Sequence, residues 1–220
     1  MTEDVTVCVV DDDDRVRNAL QRLLGSAGFR VRTYAGAREL LQQDWTASHG
    51  PLVVLADLRM PGMDGIELAE RLSRLPWSPP IVFLSAHADV PATVRAMKGG
   101  AVDFLEKPAD GDELIEALGR AAARSREQIL RLEALQDLRQ RHATLTPRER
   151  QVFVLIASGL INKEAAWELG ISEKTIKVHR ARVVEKMQAR SLPDLVRMAG
   201  RLGISAEAAA GHARAPAGTR

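Results

Sequence analysis

The sequence predicts an α/β domain built on a parallel sheet, followed by a smaller all-α domain. In the first half, short apolar runs rich in β-branched residues alternate five times with amphipathic stretches. In the second half, apolar residues recur at helical spacing. The charge balance changes as well: residues 1–110 hold 12 Lys and Arg against 16 Asp and Glu, whereas residues 144–203 hold 11 against 6. An acidic front and a basic back predict two domains with different partners, the rear one binding nucleic acid.

Length, hydropathy and cysteine content narrow the class of protein. At 220 residues the chain is long enough for two ordinary domains, each with its own core. Its apolar runs are too short to cross a bilayer, and "MTEDVTVCVV" has no basic region ahead of its apolar segment, so we expect neither a membrane partner nor a secretory signal. The single cysteine, Cys8, excludes an internal disulfide framework. Because Cys8 lies inside the first apolar run, we expect a packed core thiol in a cytoplasmic protein.

The alternation also gives the order of elements in the first domain. Five apolar runs read as buried parallel strands: "VTVCVV", "VRTY", "PLVVLA", "IVFL" and "VDFL". Glycine and proline supply the breaks, at Gly28, Gly50-Pro51, "PWSPP" and Gly99-Gly100. The predicted helices between the strands cover residues 15–26, 37–43, 65–73, 90–98 and 112–123.

A long charged helical stretch follows the last strand of this domain. Within it, residues at a 4-3-4-3 spacing form a weak heptad: Leu118, Ala122, Ser125, Ile129, Leu132 and Gln136. We interpret the stretch as an amphipathic linker helix, with self-association along the heptad as the alternative. The last residues, rich in Ala and Gly, predict a flexible tail.

The rear segment predicts four helices with a tight turn between the second and the third. Thr146, Pro147 and Glu149 open the first helix with a capping box, and Gly159 ends it. The second, "NKEAAWEL", ends at Gly170; Ile161 has no capping oxygen, so Asn162 is the predicted cap. Ser172 caps the third, "EKTIKVHRARVVEKM", and "LPDLVRMAGRL" forms the fourth. A helix, a glycine turn and a capped helix are typical of a helix-turn-helix.

Carboxylates follow two of the predicted strands. Asp11 and Asp12 end the first strand, and Asp57 ends the third. Ligands of an open parallel sheet bind at the carboxyl ends of its strands, so these side chains converge if the two strands are neighbours. Like charges at close range are costly without a cation. An oxygen-only ligand set favours a hard ion, Mg²⁺ or the similar Mn²⁺.

Two further polar residues lie at the ends of the fourth and fifth predicted strands, at the same edge of the sheet. Ser85 ends the fourth strand and Lys107 follows the fifth. A hydroxyl, an ammonium and a cation around a carboxylate are suited to binding a phosphoryl group on that carboxylate. A single strand-end Asp is usually a helix cap; five polar residues at matching strand ends make that explanation insufficient.

Three segments resemble the receiver domain of two-component response regulators: "VVDDD", "LADLRMPGMDGIEL" and "IVFLSAHADVPATVRAMKGGAVDFLEKP". The resemblance implies a flavodoxin-like or CheY-like five-stranded parallel sheet in the order 2-1-3-4-5. It also implies a role for each matching residue. Asp57 is the implied phosphoacceptor, and Lys107 pairs with the phosphate. The implied metal ligands are Asp12, Asp57 and the backbone carbonyl of Arg59, with Asp11 acting through water. Ser85 and Phe104 are the implied switch residues, with a plain core role as the alternative for Phe104.

Four further positions refine the resemblance. Pro108 is expected to follow a cis peptide bond, and Ala109 departs from the Phe that receivers usually have there. Asp13 and Asp14 are interpreted as solvated acids in the first turn of a helix.

The rear segment resembles the LuxR-type DNA-binding domain, through "LTPRE", "NKE", "LGIS" and the helix after "RS". The resemblance implies that the third helix enters the major groove and that the fourth forms a dimer contact. Ile176, Val183 and Met187 line one face of the third helix and are suited to packing. The predicted base-edge contacts are Lys177, Val178 and Ala181; the predicted phosphate contacts are Lys174, Thr175, Arg180, Arg182 and Lys186. For His179 we expect a packing or phosphate-facing role.

Together the two resemblances imply a response regulator of the NarL/FixJ class, on its FixJ branch and similar to regulators of styrene catabolism. The predicted domains are a receiver (1–120), a helical linker (121–143), a LuxR-type domain (144–203) and a flexible tail (204–220). The implied partners are a sensor histidine kinase, double-stranded DNA with a two-fold or direct-repeat site, RNA polymerase, and a second copy of the chain after phosphorylation. The protein is then no enzyme beyond its own phosphoryl transfer and dephosphorylation.

Two alternatives remain at this point. A phosphatase of the haloacid dehalogenase type also uses an Asp nucleophile and Mg²⁺, but it needs a second Asp two residues later, where this chain has Arg59. A regulator with a vestigial pocket is the other alternative, and the complete set of polar residues argues against it.

Overall fold

The computed structural model describes residues 4–43, 50–75, 77–86 and 90–204 of the chain. It divides into two compact units, Met1–Arg131 and Leu132–Arg220. Nearly all of the predicted tail lies outside the described residues. Among the helices that are described, none combines the length and apolar character needed to cross a bilayer.

The first unit is a five-stranded parallel sheet in the order β2-β1-β3-β4-β5, as predicted. Its strands are β1 (Thr6–Val10), β2 (Arg30–Tyr34), β3 (Leu52–Ala56), β4 (Ile81–Ser85) and β5 (Asp103–Glu106). The helices are α1 (Asp14–Ser26), α2 (Ala37–Leu41), α3 (Gly65–Ser73), α4 (Val90–Lys98) and α5 (Gly111–Ala143). Every predicted element of this unit is present, and the main difference is the length of α5.

Both faces of the sheet are buried, because alternate residues of each inner strand supply two separate cores. Cys8 and Val10 of β1 point into the core that contains the leucines of α2 and α3. Val7 and Val9 point into the other, with the leucines of α1 and α5. Burial raises the pKa of the Cys8 thiol to about 11, so the thiol stays protonated at neutral pH. The prediction of a packed core thiol is confirmed.

Helix α5 is one continuous helix of 33 residues. It includes the whole predicted linker, and several of the linker residues are buried. Ala121, Ala122 and Ser125 are buried in the first unit, where the Ser125 hydroxyl accepts a hydrogen bond from the Leu52 N–H at 3.0 Å. Leu138 is buried in the core of the second unit. The first unit therefore continues past the predicted limit at residue 120. The first half of the heptad, Leu118, Ala122 and Ser125, is used for packing on this unit, and self-association along the second half stays an untested alternative.

The second unit contains the four predicted helices: α6 (Pro147–Ala157), α7 (Asn162–Leu169), α8 (Glu173–Met187) and α9 (Leu192–Arg201). The capping box of Thr146 and Glu149 is confirmed, as is the cap of Ser172 on the Thr175 N–H. Gly170 ends α7 in the left-handed conformation with φ 65°, where a side chain would be strained. This glycine lets the chain turn directly from α7 into α8.

The predicted cap of α7 is wrong. Ile161 occupies the capping position without a side-chain acceptor, and Asn162 is the first residue of the helix. The Glu164 carboxylate instead accepts a hydrogen bond from the Ile161 N–H at 2.9 Å. The Asn162 side chain is thereby available for a contact with α8, described below.

Lys186 forms a partly buried ion pair in the second unit. Its ammonium lies 2.6 Å from the Glu149 carboxylate and donates to the Thr144 carbonyl at 3.2 Å. Glu149 is only 2% exposed, and it also accepts a hydrogen bond from the Thr146 N–H. The hydrogen bonds from Lys186 and Thr146 lower the pKa of Glu149 to about 2. The Lys186 ammonium therefore compensates a buried carboxylate of the fold. Its side chain is still partly exposed, so the phosphate contact expected for Lys186 stays a prediction.

We expect Ser125→Ala to lower the free energy of unfolding of the first unit by about 1–3 kcal/mol, because the buried Leu52 N–H loses its acceptor. Urea unfolding of the full chain measures the effect. Ser73→Ala is the matched control: this exposed hydroxyl bonds a carbonyl of its own helix, and we expect a change within about 0.5 kcal/mol. Equal effects of the two substitutions would contradict the role of Ser125.

We expect Glu149→Gln to destabilise the second unit by about 2 kcal/mol at pH 7, with a gap to the wild type that narrows on acidification. The pKa of Glu149 is lower in the folded state, so the carboxylate stabilises the fold above pH 4.5 and the gain is lost as pH falls towards about 2. Urea unfolding between pH 7 and pH 3 tests this. Glu173→Gln, which removes an exposed carboxylate 3.7 Å from Lys177, is expected to show little of either effect. A gap independent of pH would contradict the interpretation.

Candidate metal centre and nucleic-acid interface

The order of the strands brings Asp11, Asp12 and Asp57 to one edge of the sheet. Strand β1 pairs directly with β3, and Val10 lies opposite Ala56, so the residues after both strands are neighbours. The Asp57 N–H continues the ladder by donating to the Val10 carbonyl at 2.8 Å. As a result, one carboxylate oxygen from each of the three aspartates lies within 4.8 Å of the other two.

The three carboxylates fit a divalent cation. All three offer oxygen ligands, which hard ions such as Mg²⁺ and Mn²⁺ prefer. Their exposure is graded, from the buried Asp11 through the partly buried Asp57 to the exposed Asp12. The open side leaves room for the waters that Mg²⁺ retains. The Arg59 N–H lies 3.4 Å from Asp57 Oδ1, which places the predicted carbonyl ligand in the chain next to this carboxylate.

Lys107 lies against two of the three carboxylates. Its Nζ is 2.6 Å from Asp11 Oδ2 and 3.3 Å from Asp57 Oδ2. A main-chain hydrogen bond holds it there, because the Lys107 N–H donates to the Ser85 carbonyl at 2.9 Å. The Lys107–Pro108 peptide is cis, as expected. The ammonium thus offsets part of the repulsion between the carboxylates and stays within reach of a group on Asp57.

Ser85 and Phe104 lie on the two strands beyond β3. Ser85 is the last residue of β4 and is buried. Phe104 in β5 pairs in register with Phe83 of β4 and is partly buried, with 6.4 Å between the two ring centroids. Both residues therefore occupy the half of the sheet next to α4. Ala109, the departure from the receiver pattern, is partly buried against the core on the α5 side.

The loop between β1 and α1 divides the four consecutive aspartates. Asp13 is the N-cap of α1 and accepts a hydrogen bond from the Arg15 N–H at 2.7 Å, whereas Asp14 is an exposed acid of the first turn. The expectation for Asp14 is confirmed, and that for Asp13 is refined to a cap. The Asp13 N–H also donates to Asp11 Oδ1 at 2.9 Å.

Arg17 is a residue of this loop region that the sequence reasoning missed. One of its guanidinium nitrogens donates to the Asp11 carbonyl at 2.6 Å, and another pairs with Asp14. The available signal was an arginine three residues after an acidic first-turn residue on α1, which favours a local ion pair. The contact with the Asp11 carbonyl depends on how the chain turns and has no signature in the sequence.

Gly65 allows α3 to approach the same edge. A Cβ at this position would lie 2.6 Å from the Asp57 carbonyl oxygen and 2.8 Å from the Phe83 ring. The Gly65 N–H donates to the Leu58 carbonyl at 2.9 Å. Only glycine lets the chain after Asp57 fold back this closely.

The second unit presents α8 with a buried face and a basic exposed face. Ile176, Val183 and Met187 are buried in its core, which confirms the predicted packing face. The exposed residues include six of the predicted DNA contacts: Lys174, Thr175, Lys177, Val178, Ala181 and Arg182. An exposed valine between basic residues is unusual for a solvated helix face and is suited to contact with a thymine methyl group.

Arg180 and His179 are partly buried on α8. Arg180 donates to the Asn162 side-chain oxygen at 3.0 Å, so the first residue of α7 orients a basic residue of α8. The Nδ1 of His179 is buried and, within the described part of the chain, has no hydrogen-bond partner. This burial favours the packing role for His179.

Two apolar stripes remain on the surface of the described units. On α4, Val90, Val94 and Met97 are exposed at helical spacing; on α9, Leu192 and Val196 are exposed one turn apart. Exposed apolar stripes of this kind are typical of contact surfaces.

Comparison with known protein families assigns both units. Residues 7–119 match the family described as the response regulator receiver domain. Residues 143–199 match the family described as bacterial regulatory proteins, luxR family.

Individual relatives match over nearly the whole chain. Nodulation protein W of Bradyrhizobium diazoefficiens is 45% identical over 200 residues, which cover 91% of this chain and 87% of that protein. The transcriptional regulatory protein FixJ of the same bacterium is 46% identical over 205 residues, with 93% and 98% covered.

Two solved structures are similar along the chain as well. The response regulator StyR superposes with a TM-score of 0.72 at 45% identity, covering 90% of this chain and 99% of that one. Full-length FixJ from B. japonicum gives a TM-score of 0.52 at 44% identity, with 90% and 97% covered.

Proposed function

This chain belongs to the two-component response regulators that join a receiver domain to a LuxR-type DNA-binding domain, and from that premise we propose how it is switched and how it reads DNA. It is a transcription regulator with FixJ-like relatives. We propose that a sensor histidine kinase phosphorylates Asp57. The observation that carries the proposal is the position of the Asp57 carboxylate between two further carboxylates and the Lys107 ammonium.

Each pocket residue has a different proposed role in phosphoryl transfer. The Asp57 carboxylate attacks the phosphorus of a phosphohistidine, and the imidazole leaves. Lys107, 3.3 Å from Asp57 Oδ2, pairs with the oxygens of the incoming phosphoryl group. The proposed metal ligands are Asp12, Asp57 and the Arg59 carbonyl, with Asp11 acting through water. A divalent cation held there supplies positive charge that neutralises the phosphoryl group. The chemistry of this protein is then limited to its own phosphoryl transfer and dephosphorylation.

Phosphorylation adds up to about two negative charges at the strand ends. We propose that the Ser85 hydroxyl turns towards the new phosphate and that Phe104 follows, which changes the surface formed by α4, β5 and α5. The apolar stripe of Val90, Val94 and Met97 lies on α4 and is suited to pairing with a second copy. The active form is then a homodimer, with the α9 stripe as a second contact.

In the dimer, two α8 helices read a two-fold or direct-repeat site. We propose that Lys177, Val178 and Ala181 contact base edges, Lys177 by donating to guanine acceptors. Five residues contact phosphates and contribute affinity rather than sequence preference: Lys174, Thr175, Arg180, Arg182 and Lys186. Bound at a promoter, the dimer has RNA polymerase as a further proposed partner.

We expect Asp57→Asn to abolish labelling by acetyl phosphate, because the amide cannot act as the nucleophile. Mass spectrometry of the full chain measures the added phosphoryl group. The same variant is expected to lose the phosphate-dependent gain in dimer, measured by sedimentation, and in promoter binding.

Asp64→Asn is the matched control. Asp64 is an exposed N-cap of α3 seven residues away, and asparagine caps a helix equally well. We expect wild-type labelling from it. A labelled Asp57→Asn protein, or full phosphate-dependent binding without Asp57, would refute the mechanism.

Base contacts and phosphate contacts are expected to differ in how their loss changes the salt dependence of DNA binding. We expect Lys177→Ala to weaken binding to a selected duplex by about 1–3 kcal/mol and to leave non-specific binding less affected. Lys174→Ala is expected to weaken specific and non-specific binding alike, and to reduce the slope of log K against log salt by about one.

Fluorescence anisotropy over a range of salt concentrations measures both. Arg22→Ala, at an exposed position of α1 in the receiver, is the control and should change neither quantity. Reversed signatures for Lys174 and Lys177 would contradict the assignment of the two contacts.

A further inference from the structure

We propose that Arg17 is a positioning residue for the metal-binding carboxylates and that it acts through the main chain of Asp11. The inference rests on the pocket described under the proposed function, and it assigns a role in that pocket to a residue of α1 outside the predicted metal and phosphate ligands. Arg17 acts on the shape of the loop between β1 and α1, from which two of the three carboxylates project.

The contacts of Arg17 enclose this loop. Its guanidinium donates to the Asp11 carbonyl at 2.6 Å and pairs with Asp14, while its own N–H donates to the Asp13 carbonyl at 3.0 Å. The side chain is only 13% exposed, although its ion-pair partner Asp14 is open to solvent. A long cationic side chain this deeply buried is held by its contacts and has little freedom to leave them.

The main-chain carbonyl and both carboxylate oxygens of Asp11 each accept a hydrogen bond from a different donor. The carbonyl accepts from Arg17, Oδ1 accepts from the Asp13 N–H at 2.9 Å, and Oδ2 accepts from Lys107 at 2.6 Å. The residue as a whole is only 2% exposed, so water cannot readily replace a lost donor at its carbonyl. Asp12 follows Asp11 directly in the chain, and the direction of its exposed carboxylate depends on the same peptide.

The loss of Arg17 is expected to affect the loop more than the sheet. Strand β1 keeps its hydrogen bonds to β2 on one side and to β3 on the other, up to Val10. Without the hydrogen bond from Arg17, the main chain after Val10 is less restrained, and the carboxylates of Asp11 and Asp12 lie there. Residues that orient metal ligands commonly contribute about 10–100-fold to metal affinity.

A positioning role and a purely electrostatic role of Arg17 predict opposite changes in Mg²⁺ affinity when Arg17 is replaced. The Arg17 cation lies close to the pocket and repels a second cation, so removal of its charge alone would tighten Mg²⁺ binding. Removal of its hydrogen bond to Asp11 would weaken Mg²⁺ binding, because the carboxylates lose their fixed arrangement. The sign of the change therefore separates the two effects.

The test is the Mg²⁺ dissociation constant of the full chain, measured by isothermal titration calorimetry with no phosphodonor present. We expect Arg17→Ala and Arg17→Lys to weaken Mg²⁺ binding about tenfold. Lysine keeps the charge but lacks the planar guanidinium group that donates to the Asp11 carbonyl. Two controls are expected to stay within about twofold: Arg15→Gln, which removes a neighbouring exposed charge, and Asp14→Asn, which removes the exposed ion pair.

Two further measurements exclude a general loss of structure. Amide hydrogen exchange at Asp13 should accelerate in both Arg17 variants, whereas exchange in β3 should not change. The rate of labelling by acetyl phosphate should fall at low Mg²⁺ and recover at saturating Mg²⁺, since the nucleophile is untouched. If Arg17→Ala does not fold, Arg17→Lys carries the test, with circular dichroism to confirm its fold.

Unchanged or tighter Mg²⁺ binding in Arg17→Ala, or wild-type affinity in Arg17→Lys, would overturn the inference. These outcomes differ from a failure of the proposed function. A wild-type protein that binds no Mg²⁺ would refute the metal centre itself, whereas a wild-type protein that binds Mg²⁺ with an affinity insensitive to Arg17 would refute the positioning role alone.

Discussion

The direct pairing of β1 with β3 is the constraint on which the acidic pocket depends. It sets the ends of two strands side by side, and both strands continue into aspartates. The fold therefore brings like charges together at a cost, and the Lys107 ammonium between Asp11 and Asp57 offsets part of that cost. A site with a surplus of negative charge and open sides is suited to attract a divalent cation and, with it, a phosphoryl group.

The surroundings of the pocket supply restraints at each strand end. The Lys107 N–H is bonded to the Ser85 carbonyl, and the Asp57 N–H is bonded to the Val10 carbonyl, so neighbouring strands hold each other's functional residues. Gly65 allows α3 to close against the Asp57 carbonyl. These contacts are made by the main chain, so they fix the strand ends without using the carboxylate or ammonium groups of the pocket.

The second unit uses its charges in two different ways along one helix. Lys186 compensates the buried Glu149, and its contribution is to stability. Lys174 and Lys177 project into solvent, and their charge remains available to a partner. Arg180 lies between these extremes, because Asn162 holds one of its nitrogens and the side chain is partly buried. The basic residues of α8 therefore differ in how much of their charge is already paired within the fold.

The sequence by itself determined the order of elements, the burial of the strands and the position of Asp11, Asp12 and Asp57 at strand ends, because strand and helix periods and strand-end residues are local patterns. The convergence of the three carboxylates required β1 to lie beside β3, which the tertiary structure decided. The tertiary structure alone decided the roles of Lys186, Asn162, Ser125 and Arg17, whose partners lie on other elements or across a loop. Ser125 looked like a weak heptad position and is a buried acceptor for β3. The physical reason is general: periodicity identifies the face on which a residue lies, whereas a hydrogen-bond partner is decided by which elements pack against that face.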